Sequence, residues 1–88
     1  MKLKPGFITR KIVNDTVLID TEHTDRLLRL NETAADILSL LTEGLSEAEI
    51  VSRMMEMYAI DEATASRDVH SILDEFKALG AIEDESSL

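Results

Sequence analysis

Residues 26–41 read RLLRLNETAADILSLL, and the spacing of their apolar side chains changes in the middle of the stretch. Before Asn31 the leucines alternate as in an extended strand, so Leu28 and Leu30 share one face while Leu27 lies on the other. Asn31 itself is a favourable N-cap for a helix. Apolar residues then recur at the three- and four-residue steps of one helical face: Ala34, Ile37, Leu38 and Leu41. The stretch therefore predicts a strand that passes directly into a helix.

Two further strands are predicted upstream. Residues 7–13 are rich in β-branched and aromatic types, which favour strands. Asn14-Asp15 has the composition of a turn, and residues 16–19 follow as the second strand of a hairpin. With the strand already described, we expect a three-stranded antiparallel sheet between about residues 6 and 30.

Two further helices are predicted downstream. Gly44 ends the first helix at a position that needs a positive φ, and Ser46 with Glu49 forms a capping box that begins the second. Asp61 caps a third helix that Gly80 ends. The apolar residues of these two helices keep the helical spacing: Ile50, Val51, Met54 and Tyr58, then Ala65, Val69, Ile72, Phe76 and Leu79.

These elements make one α+β domain over residues 1–88, because a chain of this length has room for one core. Strands occupy about residues 6–30 and helices about residues 32–80, an order compatible with a winged-helix-like arrangement. We expect the acidic tail at residues 83–88 to be frayed.

The charge of the chain argues against nucleic-acid binding. Nine basic and 18 acidic side chains give a formal charge of −9, which repels phosphate backbones. In a winged helix the third helix would read DNA and should be basic, but here it is acidic. Residues 1–30 carry six basic and four acidic side chains, so the acidic excess lies in residues 31–88. We expect no nucleic-acid partner.

Catalysis, cofactors and membranes are also disfavoured. No apolar run approaches the ~20 residues that span a bilayer, so we expect a cytoplasmic protein without membrane contact. The chain has no cysteine, and His23 and His70 have no partner at metal-ligand spacing. Paired carboxylates such as Glu47 and Glu49 fit helix caps and solvated faces better than an acid–base pair. We expect no enzyme activity, no metal and no cofactor.

The edge of the predicted third strand has two interpretations. Leu27 points outward beside Arg26 and Arg29, so the exposed side of this strand is amphipathic. An extended peptide could add to the edge through main-chain hydrogen bonds, or the arginines could simply protect the edge. The residues alone leave both interpretations open.

An acyl carrier protein is disfavoured, because Ser46 and Ser71 lack the preceding Asp that carrier proteins usually have.

Residues 30–38, LNETAADIL, resemble the LNxTAxxIL signature of the family of coenzyme PQQ synthesis protein D. Similar positions follow in the same order: Leu41, Gly44, Glu49-Ile50, Tyr58, Arg67-Asp68-Val69 and the closing Leu79-Gly80-Ala81-Ile82. The opening Lys4-Pro5-Gly6-Phe7 is similar to small stand-alone members. The resemblance spans nearly the whole chain.

This resemblance implies a winged-helix-like domain that recognises ribosomally made, modified peptides. Family members bind the leader of a precursor peptide as an added strand between the third strand and the third helix. They present it to a modifying enzyme, commonly a radical S-adenosylmethionine enzyme. Carried onto this chain, the peptide-binding residues are Arg26, Leu27, Leu28, Arg29 and Leu30 on the strand, and Val69, Ile72, Leu73 and Phe76 on the helix. The two arginines could pair with acidic leader side chains.

A second function, from another class, stays open at this point. The chain could be a structural or regulatory scaffold that contacts a partner enzyme through its acidic helices and never binds a leader. The resemblance leaves the precursor, the enzyme and the product unassigned.

Overall fold

The computed structural model describes residues 2–23 and 25–82 and contains three strands followed by three helices. The elements are β1 (Phe7–Ile12), β2 (Asp15–Asp20), β3 (Leu27–Leu30), α1 (Glu32–Thr42), α2 (Glu47–Tyr58) and α3 (Glu62–Leu79). Both neighbouring strand pairs are antiparallel, in the order β1-β2-β3. The predicted α+β class and order of elements are confirmed. The predicted frayed tail at residues 83–88 lies outside the described residues.

The hairpin between β1 and β2 turns one residue earlier than predicted. Ile12 pairs with Asp15, which leaves Val13 and Asn14 as the two turn residues. Val13 has a φ of +54°, a left-handed conformation that costs most L-residues roughly 1–2 kcal/mol. Glycine usually supplies a positive φ at the first position of a two-residue turn. Because valine is typical of strands, the sequence pattern placed Val13 in β1 and not in the turn.

The helix ends follow the predicted capping residues. Asn31 comes directly after β3, and its side chain accepts a hydrogen bond from the Ala34 N–H at 2.8 Å. The capping box of Ser46 and Glu49 is present at the start of α2. Asp61 caps α3 by accepting from the Thr64 N–H. Each helix thus begins with a side chain that satisfies a backbone N–H group, as the sequence predicted.

The hydrophobic core lies between one face of the sheet and the helices. Its largest fully buried side chains are Phe76, Leu18, Ile37, Leu41, Ile50, Met54, Leu73 and Val69. Leu18 comes from the central strand β2, so the sheet contributes to the same core as the helices.

The two ends of the described chain meet beside the core. Leu3 forms an isolated antiparallel bridge with Ile82, and the Lys4 N–H donates to the Ala81 carbonyl at 2.7 Å. Ala81 and Ile82 are buried. Among the described helices, none is both long and apolar enough to cross a membrane.

Candidate functional site

Strand β3 is an edge strand. It pairs with β2 on one side, and within residues 2–23 and 25–82 no other strand pairs with its second side. A strand edge without a pairing partner presents backbone N–H and C=O groups that can bind another extended chain. The open side of β3 is therefore the first feature of the candidate site.

The register identifies which backbone groups face the open side. The Asp20 N–H donates to the Arg26 carbonyl at 3.1 Å, and two residues further along Leu28 lies opposite Leu18. Hydrogen-bonded pairs alternate with non-hydrogen-bonded pairs along an antiparallel ladder. Leu28 therefore points its backbone groups at β2. Leu27 and Arg29 point theirs at the open side.

Helix α3 runs alongside β3 in the opposite direction. At the start of β3, the Arg26 guanidinium donates to the carbonyl of Leu79, the last residue of α3, at 2.8 Å. At the other end, Asn31 lines a cavity of about 240 Å³ together with Ile72 of α3. The strand segment rises ~17 Å from Arg26 to Asn31, and the facing part of α3 rises ~11 Å from Ile72 to Leu79, so the helix runs beside most of the strand. A groove lies between them.

A cavity opens in the groove where β3 passes into α1. The cavity there is lined by Asn31, Thr33, Asp68, Ser71 and Ile72. A second cavity of about 120 Å³ also has Thr33 and Asp68 in its lining, so the two adjoin. The remaining lining residues of the second cavity are Met54, Tyr58, Ile60, Ala65 and Val69.

The residues suggested by the family resemblance fall into three groups by exposure. Arg26, Leu27 and Arg29 are exposed, and Leu28 and Ile72 are half-buried at the border of the core. The others are buried core residues: Leu30, Val69, Leu73 and Phe76. The structure thus brings β3 and α3 side by side, and on α3 Ile72 is the suggested residue with accessible surface.

Both arginines already have partners within the chain. Arg26 donates to the Leu79 carbonyl, and the Arg29 guanidinium lies 2.6 Å from the Asp15 carboxylate. Both contacts are exposed to solvent. An acidic leader side chain would have to compete with these partners, and an exposed ion pair contributes only about 0–1 kcal/mol.

The sequence interpretation missed the polar side of the groove. Asp68 is half-buried and precedes Ile72 by four residues on α3, so helical spacing could have placed both on one face. Next to the groove, the Tyr58 hydroxyl donates to the Asp36 carboxylate. This hydrogen bond, together with burial and the nearby negative charges, raises the pKa of Tyr58 to about 12. Tyr58 therefore stays protonated and links α2 to α1.

A group of possible metal ligands lies in the loop after β2. Oxygen and nitrogen atoms of Asp20, Glu22 and His23 come within 4.8 Å of one another, which the sequence interpretation did not expect. Asp20 accepts hydrogen bonds from the backbone N–H groups of Glu22 and His23 and contacts the His23 ring. Burial raises the pKa of Asp20, but these hydrogen bonds outweigh it and leave the pKa below its usual value. The contacts close the loop and account for the cluster without a metal.

Comparison with known proteins agrees with this geometry, in which an open strand edge lies beside a helix. The family model of coenzyme PQQ synthesis protein D (PqqD) matches residues 15–82. That match covers most of the chain, so the chain belongs to the PqqD family. A search of curated proteins found no match.

Two solved structures are similar over nearly the whole chain. One is TbiB1 in complex with the TbiA(beta) leader peptide, with a TM-score of 0.83 and 26% sequence identity; the match covers 94% of this chain and 95% of that one. The other is lasso peptide synthetase B1 complexed with the leader peptide, with a TM-score of 0.83 and 25% identity; here the match covers 94% and 96%.

Proposed function

We propose that this chain binds the leader of a ribosomally made precursor peptide as a fourth strand on β3 and presents that peptide to a modifying enzyme. The observation that carries the proposal is the open side of β3, which lies along α3. Membership of the PqqD family supports it, as do two similar proteins whose structures contain leader peptides.

Main-chain hydrogen bonds would hold the leader in register. The N–H and C=O groups of Leu27 and Arg29 face the open side, so a leader strand can form up to four hydrogen bonds with them. Each such bond contributes ~0.5–1.5 kcal/mol net. This contribution does not depend on the leader's side chains, so selectivity must come from the groove.

Side chains of the leader would alternate between the two faces of the extended sheet. Those on the inner face would contact the half-buried Leu28 and Ile72, where burying a leucine-sized side chain contributes ~1.5–3 kcal/mol. One leader side chain on the inner face can reach the cavity between Asn31 and Ile72. The Asp68 carboxylate in the lining of this cavity disfavours an acidic leader residue there. We therefore expect leaders with neutral, mainly apolar residues at every second position of the bound segment.

This role requires no catalytic group from the domain. We infer that the chemistry on the precursor belongs to the partner enzyme, for which a radical S-adenosylmethionine enzyme is one class. Because the precursor is made on the ribosome, the binding step takes place in the cytoplasm.

An amide-to-ester substitution at Arg29 tests strand addition directly. It replaces the Arg29 N–H, which faces the open side, by an oxygen that cannot donate. We expect the leader of the short peptide encoded beside this chain to bind two- to about thirteenfold more weakly in calorimetry, the equivalent of one hydrogen bond.

A matched control is the same substitution at Thr9 on β1, the opposite edge of the sheet. Arg10 lies opposite Val17, and the ladder alternates, so the Thr9 backbone also points away from β2. This variant should bind the leader with wild-type affinity. Equal affinities for all three proteins would exclude β3 as the site of strand addition.

An NMR titration of the labelled domain with the same leader distinguishes the scaffold alternative. Shift changes clustered on residues 26–31 and on α3 support leader binding. Unchanged spectra at millimolar leader, together with shift changes on the acidic helices when the neighbouring enzyme is added, would favour a scaffold that never binds a leader.

A further inference from the structure

The face of the sheet opposite the core is exposed along β1 and β3, while Val17 at its centre on β2 is buried. Leu18, Leu28 and Leu30 pack into the core, so their neighbours along each strand point to the other side. We call this side the outer sheet face; it consists of Ile8, Arg10, Ile12, Asp15, Val17, Ile19, Leu27 and Arg29.

Apolar side chains form a continuous row across the outer sheet face. Ile8 pairs with Ile19, and Ile19 pairs with Leu27, so one apolar residue of each strand lies in line. Ile8 is 44% exposed, and Leu27 and Ile12 are each 50% exposed. Single exposed apolar residues are common, but a contiguous group indicates a surface that contacts something.

The hairpin tip extends this apolar surface. Val13 is 86% exposed and has a φ of +54°, although the turn could have used glycine without strain. Neither its packing nor its backbone conformation favours a β-branched residue there. Strained residues are concentrated at functional sites, and an exposed valine at the tip gives a partner an apolar contact.

The charge of the outer sheet face differs from that of the molecule. Arg29 is paired with Asp15, whereas Arg10 has no ion pair within residues 2–23 and 25–82. The face therefore carries a free positive charge on a chain whose net charge is −9. A partner surface with carboxylates around an apolar centre is complementary to it.

We propose that the outer sheet face docks the enzyme that modifies the bound precursor, through an apolar surface on that enzyme bordered by carboxylates. The proposal rests on the proposed function and adds a second, separate surface to it. The open side of β3 holds the leader, and the outer sheet face remains free while the leader is bound.

A bound leader would enlarge the docking surface. As a fourth strand beside β3 it places every second side chain next to Leu27 and Arg29, on the outer sheet face. The enzyme would then contact both the domain and the leader. Leader binding and enzyme binding should therefore strengthen one another.

The size of the face argues against a second copy of this chain as the occupant. Two strands of six residues and one of four present at most roughly 15 × 20 Å, or ~300 Å², whereas each side of a stable interface buries ~800 Å². Two copies would also bring together two chains of charge −9 and two unpaired Arg10 side chains. A larger enzyme can reach the hairpin tip and the leader as well.

Ile8→Asp tests the proposal, because Ile8 is exposed on β1, away from the leader edge. The probe is the purified modifying enzyme encoded next to this chain, titrated with and without the leader. We expect enzyme binding to weaken at least tenfold, while the leader binds with an affinity within twofold of wild type. The matched control is Met57→Asp, which places the same charge at a 51% exposed apolar residue of α2 and should leave both affinities unchanged.

Val13→Gly is a second test, which should relieve the strained turn and preserve the fold. It should weaken enzyme binding several-fold and leave leader binding unchanged. Normal enzyme binding by both variants would overturn the proposal, as would no enzyme binding by the wild-type domain. Wild-type self-association in sedimentation equilibrium, abolished by Ile8→Asp, would assign the face to a second copy instead. A wild-type domain that fails to bind the leader refutes the proposed function and not this surface.

Discussion

The sheet and the helical layer of this domain differ in how completely they use their own surfaces. The helices are capped by Asn31, Ser46 and Asp61, whose side chains satisfy backbone N–H groups at the helix starts. The sheet contributes Leu18 to the same core, yet no described strand pairs with the second side of β3, and a row of apolar side chains is exposed. Among the described elements, the sheet combines an open strand edge with a row of exposed apolar side chains, whereas the helices expose a single large apolar side chain, Met57.

This difference indicates where a partner can bind without unfolding part of the domain. Peptide addition to β3 satisfies backbone groups that the described part of the fold leaves free. Substitutions can therefore separate residues that build the core from residues that are available to a partner.

The largest expected effect is on the free energy of unfolding, where a buried leucine of β2 is compared with an exposed leucine of β3. Leu18→Ala removes a fully buried side chain and should lower the free energy of unfolding by about 2–5 kcal/mol. Leu27→Ala, on the exposed face of β3, should change it by less than about 0.5 kcal/mol. Urea denaturation measures both. Similar losses for the two variants would mean that the outer sheet face is covered.

The next effect concerns leader binding at the border of the core. Ile72→Ser should weaken leader binding by roughly five- to thirtyfold, since it removes about 1–2 kcal/mol of apolar contact from the groove. Leader calorimetry checks this, with Val51→Ser as a control at a half-buried residue of α2. Phe76→Asp would not serve, because it places a carboxylate within the core and should unfold the domain.

A smaller effect is expected on the strand side of the groove. Leu27→Asp should leave the fold intact and weaken leader binding about two- to fivefold, because a cross-strand side-chain pair contributes ~0.2–1 kcal/mol. The circular dichroism spectrum and leader affinity together measure this. Unchanged affinity would show that Leu27 does not contact the leader.

The helical layer can be tested through Tyr58, the single tyrosine of the chain. Its phenolate absorbance should rise with a midpoint near pH 12 in the folded protein. Because the folded-state pKa is raised above the usual 10.0, the stabilisation is fully present below about pH 10 and is lost as the pH rises towards 12. Asp36→Asn should lower this midpoint. A midpoint near 10 in the wild type would mean that the Tyr58–Asp36 hydrogen bond is absent.

The smallest effect is expected at the ion pair on the sheet. Asp15→Asn should lower the free energy of unfolding by at most about 1 kcal/mol, with a smaller difference from wild type at high salt. Denaturation at low and high salt measures it. A larger loss would mean that this exposed pair is more than a surface contact.

The helices were predictable because their signals are local. The caps at Asn31, Ser46 and Asp61 and the positive φ at Gly44 follow from side chains within a few residues of each helix end. The transition from strands to helices was predictable from the change of hydrophobic period near Asn31. The hairpin turn was not, because Val13 adopts a conformation that its residue type disfavours.

The groove was only partly predictable. Alternation along β3 placed Leu27 outward, and the structure agrees. Helical spacing on α3 cannot separate the groove from the core, since Val69, Ile72 and Phe76 all belong to one stripe and only Ile72 keeps accessible surface. Which polar residues line the cavity depends on how closely α3 approaches β3, and that distance is set by tertiary packing.

The bridge between Leu3 and Ile82 has a consequence for how this domain can be combined with others. The chain enters and leaves the described domain at adjacent points, which the Leu3–Ile82 bridge and the Lys4–Ala81 hydrogen bond hold together. A host protein could therefore carry the whole domain as an insertion in a single surface loop, without separating the two ends of that loop. Such a fusion would keep the open side of β3 accessible and hold it at a fixed place on the host.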